Sequence, residues 1–347
     1  MTTNPGRRLI FHIGQHKTGS TAIQDALARG EIHVGGRRIL YTSKMAHNYL
    51  PRHFNDWAHD ASAPPGNQTE PGLEMLSQRL SVDDFDDAIF SAENFEGMDA
   101  RVIQRVLERF FLPHVQDHSI LCWVRPHAAR TVSDFAENIK IGWFDGNMEA
   151  FHDQFLHSGV LRYNERLANL RDCFGAHFHP RVMLRELLVG NSILHDFAEA
   201  AFGPDADVTI TAAPTANETL SLEDLALLHH LQTRLAHRDR HLRHAFGWEM
   251  MHILQARPRK GTRLALHRTL AERVRSDYLE DARALDRGIF AATPVFEREL
   301  DRAVDEALPE AQSLKLRDHF VPARVRQIEL MADVIVTLLE NRGQPWQ

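Results

Sequence analysis

The segment Gly14-Gln15-His16-Lys17-Thr18-Gly19-Ser20-Thr21 constrains this chain most, because it joins an apolar run to a helical pattern almost at the N-terminus. Residues 8–13 (Arg-Leu-Ile-Phe-His-Ile) read as a buried strand, and residues 21–29 take helical periodicity. A strand that feeds a helix in this way presents backbone N–H groups at the helix start, where the helix dipole favours negative charge. Gly19 lets the backbone approach an anion closely, Lys17 brings a mobile positive charge, and Ser20 and Thr21 bring hydroxyl donors. Together these are the parts of a cradle for a phosphate-like group.

Further strands are expected at 38–41, 87–92, 119–124 and 181–184. Helices are expected at about 99–112, 126–141 (with Pro126 at its first turn) and 161–174, and residues 60–72 read as an exposed loop. From about 191 onward the patterns are helical throughout: 221–237, opened by Ser221 as a cap with Asp224 three residues on, then 262–287 and 322–342. Alternating strands and helices with near-continuous apolar strands imply an α/β fold, a three-layer parallel β-sheet flanked by helices. That domain is expected over 7–290. A helical C-terminal extension over 291–347 would pack on the core or against another chain, which leaves a homo-oligomer open.

Composition narrows the partners. The net charge is −7 and no lysine- or arginine-rich block stands out, which argues against nucleic acid. No stretch approaches the roughly 18 apolar residues of a membrane span, and the short polar N-terminus lacks a secretory core, so a cytoplasmic protein is expected. Cys122 and Cys173 give neither a disulfide framework nor metal spacing and read as buried thiols. Among 22 histidines, His229–His230 and the series His237, His241 and His244 are the candidate metal ligands. Arg238, Arg240 and Arg243 interleave with the series and would repel a cation, so it reads as a solvated helix face and no metal is expected.

The loop differs from that of nucleotide triphosphatases, in which lysine follows the second glycine. Here Lys17 precedes Gly19, and strand 119–124 ends in Arg125 rather than in a magnesium-holding acid. The run Phe11-His-Ile-Gly-Gln-His-Lys-Thr-Gly-Ser-Thr-Ala-Ile-Gln24 resembles the 5′-phosphosulfate loop of sulfotransferases that use 3′-phosphoadenosine 5′-phosphosulfate (PAPS), nearest the bacterial branch with a His-Lys-Thr-Gly-Thr/Ser-Thr core. A second segment, Trp123-Val-Arg-Pro-His-Ala-Ala-Arg-Thr-Val-Ser133, resembles the family's 3′-phosphate clamp, an arginine at a strand end and a serine eight residues on. The resemblance implies a P-loop-like sulfotransferase fold. It implies PAPS as co-substrate, with His16, Lys17, Thr18, Gly19, Ser20 and Thr21 around the phosphosulfate, and Arg125 and Ser133 on the 3′-phosphate. Arg130 is a helper to the clamp or a surface charge. Arg259-Lys260-Gly261 reads as a basic loop before a third contact, and Asn217–Ser221 is similar to a later connecting segment of the bacterial branch.

Sulfuryl transfer needs in-line attack by an acceptor that loses a proton. Lys17 would stabilise the leaving phosphate. The candidate bases are Glu93, just after strand 87–92, and His47, near the expected acceptor cleft. His16 adjoins the sulfate by sequence but could only shape the loop, His12 reads as core, and Ser91 could donate to PAPS. Trp123, Trp143 and Phe95 are the aromatic residues weighed for adenine. The expected acceptor is a hydroxyl or amine of an unidentified molecule, a glycan or a small metabolite. Two other readings remain at this point: a P-loop nucleotide kinase or other phosphotransferase using ATP and magnesium, and a non-catalytic binder of 3′-phosphoadenosine 5′-phosphate (PAP).

Overall fold

A computed structural model describes residues 6–59, 70–212, 220–256 and 261–340. Its strands are β1 (Arg8–Ile13), β2 (Ile32–Val34), β3 (Ile39–Leu40), β4 (Asp87–Ala92), β5 (Asp117–Val124), β6 (Phe178–Val182) and β7 (Val208–Ile210). The helices are α1 (Ser20–Ala28), α2 (Leu50–Ala58), α3 (Leu73–Val82), α4 (Ala100–Phe110), α5 (His127–Lys140), α6 (Met148–Ser158), α7 (Tyr163–Phe174), α8 (Ile193–Phe202), α9 (Leu222–Arg234), α10 (Arg240–Gln255), α11 (Arg268–Arg287), α12 (Phe296–Asp305) and α13 (Pro322–Glu340). The chain forms two compact units, one of Met1–Pro126, Arg162–Thr215 and Asp281–Phe296, the other of His127–Leu161, Ala216–Glu280 and Glu297–Gln347.

The first unit contains a five-stranded sheet in the order β3-β4-β1-β5-β6, parallel throughout. Alternation along β1 decides what each face of it packs against. Ile10 joins Ile89, Leu121 and Trp123 beneath α1 and α8, where Ile23, Leu27 and Phe197 complete a buried cluster. Phe11 points the other way, into Phe54 of α2, Phe90, Phe95 and Phe111, with ring centroids 5.1–6.4 Å apart. Helices therefore cover both faces, as the continuous apolar runs of β1, β4 and β5 require. The N-terminal end of the sheet is tied by Asp87, fully buried and paired with Arg8 Nη2 at 2.8 Å and Arg37 Nε at 2.5 Å.

Several expectations are corrected. β7 breaks the helical region beyond 191; it pairs antiparallel with β2, and strands of three residues leave too little periodicity to read. The expected strand 181–184 is β6, which starts and ends earlier, and the helix expected from 262 starts at Arg268. His237 lies outside α10, so it does not share a helix with His241 and His244. Most of the 60–72 loop and Arg259-Lys260 lie outside the described residues, as do 217–219. Cys122 is buried, which pushes its thiol up to about 12, and Cys173 is half-buried rather than buried.

The second unit is helical. Ser221 caps α9, its Oγ accepting from the Asp224 amide at 3.1 Å as the sequence implies. Gly247 of α10 sits so close to α5 that a Cβ there would lie 2.2 Å from the Lys140 carbonyl oxygen. That approach carries Lys140 Nζ over the Trp248 ring, 4.0 Å from its centroid.

Candidate functional site

At the C-terminal ends of β1, β4 and β5, the chain turns from strand into loop in three neighbouring places. Ligands of open α/β sheets collect at such an edge. The Gly14 amide extends the ladder, donating to the Ala92 carbonyl at 2.9 Å. The loop then curls: Lys17 has φ 63° and Gly19 has φ 83°, both left-handed. Backbone that alternates in this way turns successive N–H groups to one side, an arrangement suited to anions. A side chain on Gly19 would also meet Ile193, 3.0 Å from its Cγ1. The first turn of α1 contains neither a side-chain cap nor an acidic residue, so its dipole is not neutralised locally.

The sequence-selected residues take distinct places. Thr18 is buried, its hydroxyl donating to the Gln15 carbonyl at 2.6 Å, which pins the loop. Ser20 is buried and Thr21 exposed. Arg125 reaches from the end of β5 to the loop, where its Nη1 donates to the Lys17 carbonyl oxygen at 3.0 Å. Two corners 108 residues apart are thus in contact. Ser133 is half-buried on α5 in the second unit. Arg130, read as a helper or a surface charge, is neither exposed nor aimed at solvent; it is buried and forms an ion pair with Asp134 one turn on.

Glu93 follows β4 directly. Its amide donates to Asn48 Oδ1 at 2.9 Å, and its carboxylate lies 3.4 Å from His16 Nδ1. On the far side of that imidazole, Glu96 Oε2 is 3.9 Å from Nε2, and Glu96 is itself 3.8 Å from Arg166. His16 therefore stands between two carboxylates, half-exposed, while Glu93 is mostly covered. Sequence reasoning placed His16 on the cofactor and missed this pairing, because 77 positions separate it from Glu93.

His47 occupies a different environment. It is fully buried, its Nδ1 accepts from the Ser91 amide at 3.3 Å, and its Nε2 therefore carries the proton and donates to Thr42 Oγ1 at 2.9 Å. Burial pushes its pKa down to about 3. With both nitrogens engaged and no exposed surface, His47 holds residues 42–48 against β4 and is not placed to receive an acceptor's proton. His12 is core, as expected; burial lowers it to about 4, an effect that the Glu93 carboxylate partly offsets. Ser91 is buried, bonded to His12 Nδ1 at 2.8 Å and Gln24 Nε2 at 3.1 Å, so it braces the interior rather than facing a ligand. Trp123 and Phe95 are core side chains. Trp143 is exposed in the second unit with the Arg240 guanidinium 4.2 Å over its ring.

A cleft of about 390 Å³ is lined by Ala46, Asn48, Tyr49, Arg52 and Glu70, with Arg52 Nη2 2.6 Å from Glu70 Oε2. Asn48 links this cleft to the Glu93 amide. Among the described residues, no helix is long and apolar enough to cross a membrane. Comparison of the chain with protein families, with curated proteins and with solved structures finds no match.

Proposed function

We propose that this protein transfers a sulfuryl group from PAPS to a hydroxyl or amine of a small acceptor. The observation that supports the reading is the contact between Arg125 and the Lys17 carbonyl, which puts the strand-to-helix loop of Gly14–Thr21 and the end of β5 side by side. A curled loop at a helix start suits the 5′-phosphosulfate. An arginine beside it offers a planar fork to a second phosphate, which distinguishes PAPS from ADP-type ligands.

In this reading the acceptor sits in the cleft of Asn48, Tyr49, Arg52 and Glu70, whose Asn48 accepts from the Glu93 amide. The acceptor oxygen or nitrogen attacks sulfur in line, the bond from sulfur to the bridging phosphate oxygen breaks, and PAP leaves. Lys17 and the loop amides stabilise the charge that builds on the leaving oxygen. The acceptor proton passes to Glu93, directly or through His16, and Glu96 holds His16 from behind. His47 is removed from the set of bases and retained as a positioning residue.

The test is turnover of PAPS to PAP across a panel of sugar, phenol and amine acceptors. Glu93→Gln is expected to lower kcat by roughly 10²–10⁴-fold while PAP affinity stays within twofold. Failure of PAPS to bind, or tight magnesium-dependent binding of ATP, would overturn the proposal.

A further inference from the structure

We propose that Asp117, His118 and His177 form a surface site for a divalent transition-metal ion of the zinc class. It lies at the opposite end of the sheet from the phosphate loop. Because β5 and β6 run parallel with Ile120 beside Phe178, the residues that open the two strands are brought together although nearly sixty positions separate them. One ligand atom from each of the three lies within 4.8 Å of the others. The imidazoles of His118 and His177 lie with centroids 4.0 Å apart, and their planes, inclined by only 21°, must turn for the in-plane lone pairs to converge on one ion. Asp117 Oδ1 accepts from the His118 amide at 2.8 Å and lies 3.6 Å from His177 Nδ1, so the carboxylate is close to the imidazole although not aimed at its Nε2.

The hydrogen bonding suits metal ligation. His177 Nδ1 donates to the His118 carbonyl oxygen at 2.9 Å, which leaves Nε2 with its lone pair. A ring nitrogen held by a backbone carbonyl, with the other nitrogen on the ion, is the usual setting of a ligating histidine. Bond lengths of about 2.0–2.1 Å in a tetrahedron require the three ligand atoms to close to about 3.3 Å. The side chains of His177 and Asp117 are 47% and 57% exposed, so turns of exposed side chains supply that closure without moving the strands. His179, exposed two residues further along β6, is at hand as a fourth ligand, and water can serve otherwise. Two imidazoles with one carboxylate select zinc, copper or nickel over magnesium and calcium, which prefer all-oxygen sets.

The site ties the start of the edge strand β6 to β5, about 26 Å along β5 from Arg125 at an extended rise. Its role is structural, and it is independent of the sulfuryl-transfer reading. No histidine pair selected from sequence spacing belongs to it, because the pattern is made by strand pairing and not by a helix.

The experiment is titration of the full chain with Zn²⁺ by calorimetry at pH 7.5, and with Co²⁺ by absorption spectroscopy. One site of micromolar affinity and intense Co²⁺ bands of low coordination number are expected. His177→Ala and the milder His177→Gln should each weaken Zn²⁺ binding at least tenfold with the apo melting temperature unchanged. The double variant His229→Ala/His230→Ala should bind as the parent does. Saturating Zn²⁺ should raise the melting temperature of the parent and not of His177→Ala. Unchanged stoichiometry and affinity in both His177 variants, or a Co²⁺ spectrum of the hexa-aquo type only, would overturn the site.

Discussion

At the N-terminal end of the parallel sheet, Asp87 is fully buried and answered by Arg8 and Arg37, whereas at the C-terminal end the chain carries two left-handed residues and buried, proton-sensitive histidines. The first arrangement is satisfied within itself. The second is locally unfavourable: Lys17 holds a left-handed conformation that L-residues rarely adopt, and His12 Nε2 is buried without a hydrogen-bond partner. Strain and incomplete satisfaction of this kind persist where a ligand site is maintained by the surrounding structure. One sheet thus separates an anchoring end from the end at which the proposed nucleotide would sit.

The contrast can be broken most forcefully at Asp87. Asp87→Ala leaves two arginines without their buried counter-charge and should destabilise by about 3–5 kcal/mol, measured by urea unfolding. The folded fraction should still bind PAP. A loss under 1 kcal/mol would show that the anchoring end is not electrostatic.

Acid sensitivity should belong to the C-terminal end of the sheet. His12 and His47 have depressed pKa values, so the unfolded chain takes up their protons first. Their contribution is complete above pH 6.5 and is lost as pH falls from there toward 4 and 3. Between pH 7 and pH 5 each should cost about 2 kcal/mol. His12→Asn should reduce the pH dependence of the unfolding free energy by that amount, and an unchanged slope would contradict the assignment.

The glycines sharpen the comparison at smaller scale. Gly19→Ala combines left-handed strain with a 3.0 Å approach to Ile193 and should cost about 1–2 kcal/mol, together with a clear loss of PAP affinity. Gly30, at φ 65° with nothing within 4 Å of an added Cβ, should cost only the strain of about 1 kcal/mol and leave PAP binding intact. Equal effects of the two on ligand binding would remove the distinction between a strained turn and a strained site.

The three longest strands were legible because each is a run of apolar residues that parallel pairing buries on both faces. The first corner was legible because its parts are contiguous between Gly14 and Thr21. What could not be read depends on distant pairing. The contact of Arg125 with Lys17, and the position of His16 between Glu93 and Glu96, follow from the order in which β4 and β5 flank β1. His47 reads as a candidate base from its expected place near the acceptor cleft, and nothing in its local sequence discloses that the Ser91 amide occupies its Nδ1. Strands of three residues, β2 and β7, are too short for any periodicity to report them.

If the Lys17 and Arg125 corners form one site for a nucleotide bearing both 5′- and 3′-phosphates, calorimetric titration of the full chain should show PAP binding at least tenfold more tightly than ADP, and Arg125→Ala should abolish the difference. Equal affinities in the parent protein, or a preference for PAP that survives in Arg125→Ala, would contradict it.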